Sequence, residues 1–217
     1  MDVPKRFGND VETYRREYRQ VYGSPEWQAV NKIPWIHVYD DHEILNDYDI
    51  TKNQHKRFEN GIDDAFKIYQ HDSNPPALRS TYYTFEQQGA GFFMLDTRRY
   101  RDDESMPDSP NKTMLGVQQK ADLIAWLETP RAWRIVVSSV PFTKNWHNKD
   151  TWSGYLFERK EILEAMHRVG GVVVLSGDRH EHAATRFPPP RDSLLPISHS
   201  VYEYSTSPLS QFYLRKL

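Results

Sequence analysis

The run Val172-Val173-Val174-Leu175-Ser176, held between Gly170-Gly171 and Gly177, constrains this chain more than any other feature. It is too short for a helix and apolar without alternation. It therefore reads as a strand in the interior of a central sheet, flanked by the helices expected at 117–128 and 155–169. It passes directly into Ser176-Gly177-Asp178-Arg179-His180-Glu181-His182. Asp178, His180 and His182 alternate, so on an extended segment they point to one side. Gly177 lets backbone or a ligand approach closely. A carboxylate and two imidazoles at the end of a buried strand read as a metal site; the other reading is a histidine-rich turn satisfied by hydrogen bonds.

A second apolar run, Ile33 to Tyr39, also reads as a strand and ends the same way, in Tyr39-Asp40-Asp41-His42-Glu43, with Asn46 and Asp47 following. Four consecutive ionisable residues near a core are costly unless their charge is compensated, which a metal ion does. Carboxylate oxygen and imidazole nitrogen suit iron, manganese, zinc or calcium according to geometry. A charged surface turn is the alternative for this cluster taken alone.

The remaining pattern supplies the frame. Residues 10–30 read as helical, with Pro25 starting a second short helix, and 51–70 as a further helix with Phe58, Ile62, Phe66 and Tyr69 on one face. Strands around Thr81–Glu86 and Gly91–Leu95 make a hairpin across Gln87-Gln88-Gly89-Ala90. An exposed acidic loop at 101–114 precedes helix Val117–Glu128 and strand Trp133–Ser139. After the loop at 141–153 come helix Tyr155–Val169, capped by Gly170-Gly171, and strands Ala183–Phe187 and Val201–Ser205. Helices and strands that alternate in this way indicate an α/β fold with some antiparallel strands. Ligand sites in such sheets form beyond the carboxyl ends of the strands, where both polar clusters lie.

Composition narrows the classes. With 217 residues the chain suits one domain, or most of a larger one. A formal charge of −2 gives no basic footprint for nucleic acid. The absence of cysteine excludes thiolate ligands and disulfides. No apolar run approaches the roughly 20 residues that span a bilayer. The first residues lack the apolar core of a signal peptide, so a cytoplasmic location is the default expectation. Oligomeric state is not readable.

The two clusters in this order resemble the calcineurin-like metallophosphoesterases, and Asp-Asp-His-Glu with Gly-Asp-X-His resembles the PhoD-like alkaline phosphatase family in particular. Met94-Leu95-Asp96-Thr97-Arg98-Arg99-Tyr100-Arg101, Ser139-Val140-Pro141, Asp150-Thr151-Trp152-Ser153-Gly154-Tyr155 with Arg159, and Tyr204-Ser205-Thr206-Ser207 fit the same family, over about residues 12–208. The resemblance implies a layered α/β sandwich with mixed sheets, a phosphoester substrate, and iron and calcium as cofactors, with manganese or zinc as alternatives. Residue by residue it implies metal ligation by Asp41, Asp178 and His180. It makes His42 the proton donor or phosphoryl stabiliser. Arg179 and Arg98 become arginines for phosphoryl oxygens, a use that suits a planar guanidinium. Trp152 and Tyr155, with Trp146 and His147, are candidates for a substrate wall. His182 lies outside the family block, so a role for it is a local inference.

The family also places ligands upstream of Asp-Asp-His-Glu, in a Gly-Asp-X-X-Tyr block that this sequence does not contain. Residues 1–217 are therefore expected to form a single, partial domain without its N-terminal strands. Such a chain is expected to bind at most one metal ion weakly and to hydrolyse phosphoesters poorly. The alternative is a non-catalytic remnant or partner-binding fragment of such an enzyme.

Overall fold

The computed structural model describes residues 10–44, 48, 50–51, 65–75, 81–145 and 149–206. Helix α1 (Val11–Tyr22) starts at Asp10, whose carboxylate accepts the Thr13 N–H at 2.9 Å. Helix α2 (Pro25–Val30) follows, with Ser24 as its cap and Pro25 in the first turn. Of the helix expected over 51–70, residues 65–69 are helical, while Phe58 and Ile62 lie outside the described residues.

One six-stranded sheet in the order β1-β2-β3-β4-β6-β5 forms the centre. The strands are β1 (Tyr83–Gln87), β2 (Ala90–Met94), β3 (Trp133–Ser138), β4 (Val172–Ser176), β5 (Ala183–Phe187) and β6 (Val201–Ser205). Strands β2, β3, β4 and β6 are mutually parallel, and β1 and β5 close the edges antiparallel. The hairpin between β1 and β2 turns on Gln88 and Gly89, both at positive φ, which matches the right-handed twist of the flanking strands. Helices α3 (Gly116–Glu128) and α4 (Leu156–Val169) cover one face. There Phe93, Val136, Val172, Val174 and Val201 pack with Leu123, Leu127, Ile162 and Met166 in one core. Gly170 ends α4 at φ 64°, its N–H donating to Met166 O at 3.0 Å.

The opposite face is also apolar. Phe92, Ile135, Val173 and Tyr202 share one register row, and Val137, Leu175 and Tyr204 share the next. Leu175 is 37% exposed and Tyr202 and Tyr204 are each 42% exposed. The expectation that Val172, Val174 and Leu175 all lie in the interior is therefore corrected: Val172 and Val174 do, but Leu175 points away from the helices. Val174→Ala should cost about 2 kcal/mol, because it leaves a void in a packed core. Leu175→Ala should stay within about 0.5 kcal/mol. Urea denaturation of the two variants checks this.

The strand expected at Ile33 to Tyr39 is corrected as well. This segment forms no regular element and has no ladder partner among the described residues. The Asn74 side chain takes a neighbouring strand's place at a single position: His37 N–H donates to Asn74 Oδ1 at 2.8 Å, and Asn74 Nδ2 donates to His37 O at 3.0 Å. Tyr83 Oη also donates to that carbonyl, at 2.6 Å. Tyr39 then packs edge-on against Phe66 in a second core with Tyr14, Tyr18, Ile44, Tyr48 and Ala65. That core fixes where the segment ends, and so where Asp40 and Asp41 stand.

The loop at 101–114 is less exposed than its composition suggests. It wraps Lys112, 2% exposed, whose ammonium donates to Glu104 O and Met106 O at 3.0 and 2.9 Å and sits 4.4 Å from the Tyr155 ring centre.

Candidate metal centre

Four segments meet beyond the carboxyl ends of the parallel strands: the turn after Tyr39, the turn after β2, the loop after β3 and the turn after β4. Arg98 stands at their junction with no exposed side-chain surface. Its Nε donates to Asp40 Oδ1 at 2.8 Å, and its Nη1 donates to both oxygens of Asp150, at 2.7 and 2.9 Å. Its Nη2 faces Asp41 Oδ1 at 3.5 Å and Asp178 Oδ1 at 3.7 Å, with no hydrogen bond to either. Arg101 braces Asp150 from behind: Nη1 reaches Asp150 Oδ1 at 2.6 Å and Nη2 reaches Asp150 O at 3.2 Å.

Asp40, Asp41 and Asp178 each present a carboxylate oxygen within 4.8 Å of the others. Together with Asp150 they place four carboxylates against the buried guanidiniums of Arg98 and Arg101. Asp150, gripped by both, stays below its ordinary pKa: burial works against ionisation there, and the two arginines outweigh it. The other two buried acids are not so compensated. Burial, then the Asp40 charge, pushes Asp41 up to about 8 and Asp178 up to about 6, with Arg98 opposing both shifts. Asp178 Oδ2 is buried without a hydrogen-bond partner, and Arg179 Nη1 is 4.0 Å from it. An oxygen-preferring cation fits this carboxylate cluster, because it would supply the charge that the arginines leave unmatched.

The expected ligands and catalytic groups are brought together in part. Asp41 and Asp178, from distant parts of the chain, converge. His42 stands at the rim, 30% exposed, with Nε2 4.0 Å from Asp41 Oδ1. Arg179 is also at the rim, 33% exposed. His180 and His182 are both exposed, and neither belongs to the carboxylate cluster. The extended geometry expected for 178–182 is corrected. Asp178 and His180 have φ values of 75° and 56°, and Arg179 N–H closes a tight turn onto Gly177 O at 3.0 Å. The alternation that would align Asp178 with the two imidazoles is thereby lost. Left-handed backbone at two residues with side chains costs on the order of 1 kcal/mol each, and such strain collects at functional sites.

The expected substrate groups lie deeper than a wall would. Arg98 is enclosed by carboxylates. Trp152 and Tyr155 have no exposed surface. Trp152 Nε1 donates to Ser138 Oγ at 3.2 Å and its ring packs 5.2 Å from Phe142, while Tyr155 Oη donates to Asp102 O at 2.7 Å. These are packing positions beneath the loop. Trp146 and His147 lie outside the described residues. Asp150, Arg101 and Glu203 carry roles that sequence reasoning did not assign. Glu203, on β6, accepts Phe142 N–H at 2.6 Å, Thr143 N–H at 2.8 Å and Ser176 Oγ–H at 2.7 Å, tying the loop after β3 to the end of β4.

A mixed sheet with an acidic, partly compensated cluster beyond its parallel strands places the chain among α/β proteins with a ligand site at the carboxyl ends of the strands. The chain belongs to the PhoD-like phosphatase family, whose model matches residues 2–216. It is 27% identical over 211 residues to alkaline phosphatase D of Bacillus subtilis (strain 168), an alignment covering 78% of this chain and 35% of that protein. The fold matches a solved structure of PhoD with a TM-score of 0.78 at 25% identity, covering 92% of this chain and 45% of that one. The chain thus spans less than half the length of the relatives it matches. Among the described residues, no helix is long and apolar enough to cross a membrane.

Proposed function

We propose that this chain carries the Asp40–Asp41–Asp178 part of a metal centre for phosphoester hydrolysis. The observation that carries this reading is the convergence of these three carboxylates beside a buried arginine, in a chain of the PhoD-like phosphatase family. Asp41 and Asp178 are the ligands, and Asp40 joins them. With three carboxylates and no imidazole in the cluster, calcium or manganese suits the donor set better than zinc. A bound cation polarises a phosphoryl oxygen and lowers the pKa of bound water. The chain's own groups do the rest. Arg179 at the rim holds a non-bridging phosphoryl oxygen. His42, exposed enough to reach substrate, protonates the departing oxygen. His180 contributes only if the turn over 178–182 reorients.

Three carboxylates are few for two ions, which need a bridging ligand to sit roughly 3.5–4 Å apart. The chain by itself therefore takes up one cation and turns over slowly. The test is hydrolysis of an aryl phosphate by the purified chain with and without Mn2+. Slow, Mn2+-dependent turnover is expected. His42→Ala should reduce kcat about 100-fold, with a smaller loss for substrates whose leaving group needs no proton. Turnover that ignores both the metal and His42 would contradict the reading.

A further inference from the structure

We propose that Arg98 is an internal cation that occupies one side of the acidic cluster, and that Asp150, braced by Arg101, is the positioning residue that holds its guanidinium back from Asp41 and Asp178. This rests on the metal-centre reading above and concerns how that centre is kept open.

The geometry is specific. The guanidinium is fixed at two corners, by Asp40 at Nε and by both oxygens of Asp150 at Nη1. The third corner, Nη2, is buried and aimed between Asp41 and Asp178, but it stops at 3.5 and 3.7 Å, beyond hydrogen-bond contact. A free guanidinium would close that gap, since a charge-assisted hydrogen bond to carboxylate settles near 2.7–2.9 Å. Asp150 prevents the closure because it is itself anchored: Arg101 binds its carboxylate and its backbone carbonyl, and Arg101 Nε donates to Thr97 O at 2.7 Å. Nη2 thus stays clear of hydrogen-bond contact with Asp41 and Asp178, while the Arg98 charge offsets the repulsion among the carboxylates. Arg98 has no exposed side-chain surface, so it acts through the carboxylates it faces.

Opposite changes follow for the two substitutions. Arg98→Met removes the competing positive charge and should tighten Mn2+ binding about tenfold. Asp150→Asn releases the guanidinium onto Asp41 and Asp178 and should weaken it about tenfold. Arg98→Lys keeps the charge and should show no tightening. Mn2+ titration followed by electron paramagnetic resonance reads this without any turnover assay, with near-ultraviolet circular dichroism confirming that each variant is folded. A purely structural role predicts weaker binding for both Arg98→Met and Asp150→Asn. That result, in a wild-type chain that binds Mn2+, would overturn the proposal and leave the metal centre standing. Tightening by Arg98→Lys equal to that by Arg98→Met would overturn it too, because the effect would then be one of shape. If neither wild type nor Arg98→Met binds Mn2+, the metal-centre reading fails and this inference with it. If the Arg98→Met chain does not fold, Arg98→Gln, which also removes the charge, takes its place: tighter Mn2+ binding supports the proposal and weaker binding overturns it.

Discussion

Asp178→Asn should weaken Mn2+ binding at least about 100-fold and, in the metal-free protein, raise the melting temperature by about 2–4 °C. The two effects share one cause. Asp178 is buried beside Asp40 and within the field of Asp150, so its charge is costly until a cation arrives. Asparagine keeps the shape and tolerates the left-handed backbone at φ 75°, so the fold is not strained by the exchange. It removes one negative charge from a cluster that Arg98 and Arg101 do not neutralise. A gain in stability paired with a loss of metal is the signature of a residue kept for function. Calorimetric titration and a thermal melt of the same preparations check it, and a melting temperature that falls would mean that Asp178 braces the turn instead.

Glu203→Ala should lower stability by about 3 kcal/mol. Removing this carboxylate leaves the Phe142 and Thr143 N–H groups and the Ser176 hydroxyl without their acceptor inside the protein. The effect has a pH dependence of definite sign. Burial raises the Glu203 carboxyl above the ordinary glutamate value of 4.5, against the pull of its three donors and Arg159. A carboxyl whose folded pKa is raised contributes stability that is complete below 4.5 and is lost as pH rises through the folded value. Glu203→Gln removes that titration. The stability gap between wild type and Glu203→Gln should therefore narrow as pH is raised from 5 to 8 in urea denaturation. A gap that widens would mean the donors dominate burial.

Much of the frame was legible in the sequence because local physics decides it. Val172 to Ser176 read as a central strand, Pro25 as the start of a helix, and Gln88-Gly89 as part of a hairpin turn, and the structure has all three. The segment Ile33 to Tyr39 has the apolarity of a strand, yet a strand requires a partner, and whether one stands alongside is not written in the segment itself. Leu175 shows the same limit, since a continuous apolar run does not say which face the helices cover. The meeting of Asp41 and Asp178 was anticipated from the polar clusters that follow apolar runs. The turn that carries His180 to the surface was not, because alternation in sequence predicts alignment only where the backbone is extended. Asp150 and Arg101 belong to segments that fit the family, but nothing in those segments pairs the two. Their importance comes from meeting Arg98 across long stretches of chain, and only the folded arrangement supplies that. Trp152 and Tyr155 illustrate the converse: large aromatics beside a site suggest a wall, but the fold buries both beneath the loop.

Equilibrium dialysis of the purified chain against Mn2+ tests most directly whether Asp40, Asp41 and Asp178 form one cation site. The expected result is about one Mn2+ per chain, lost in Asp41→Asn and in Asp178→Asn but retained in His182→Ala. Binding that survives both aspartate substitutions, or no binding by the folded wild-type chain, would contradict it.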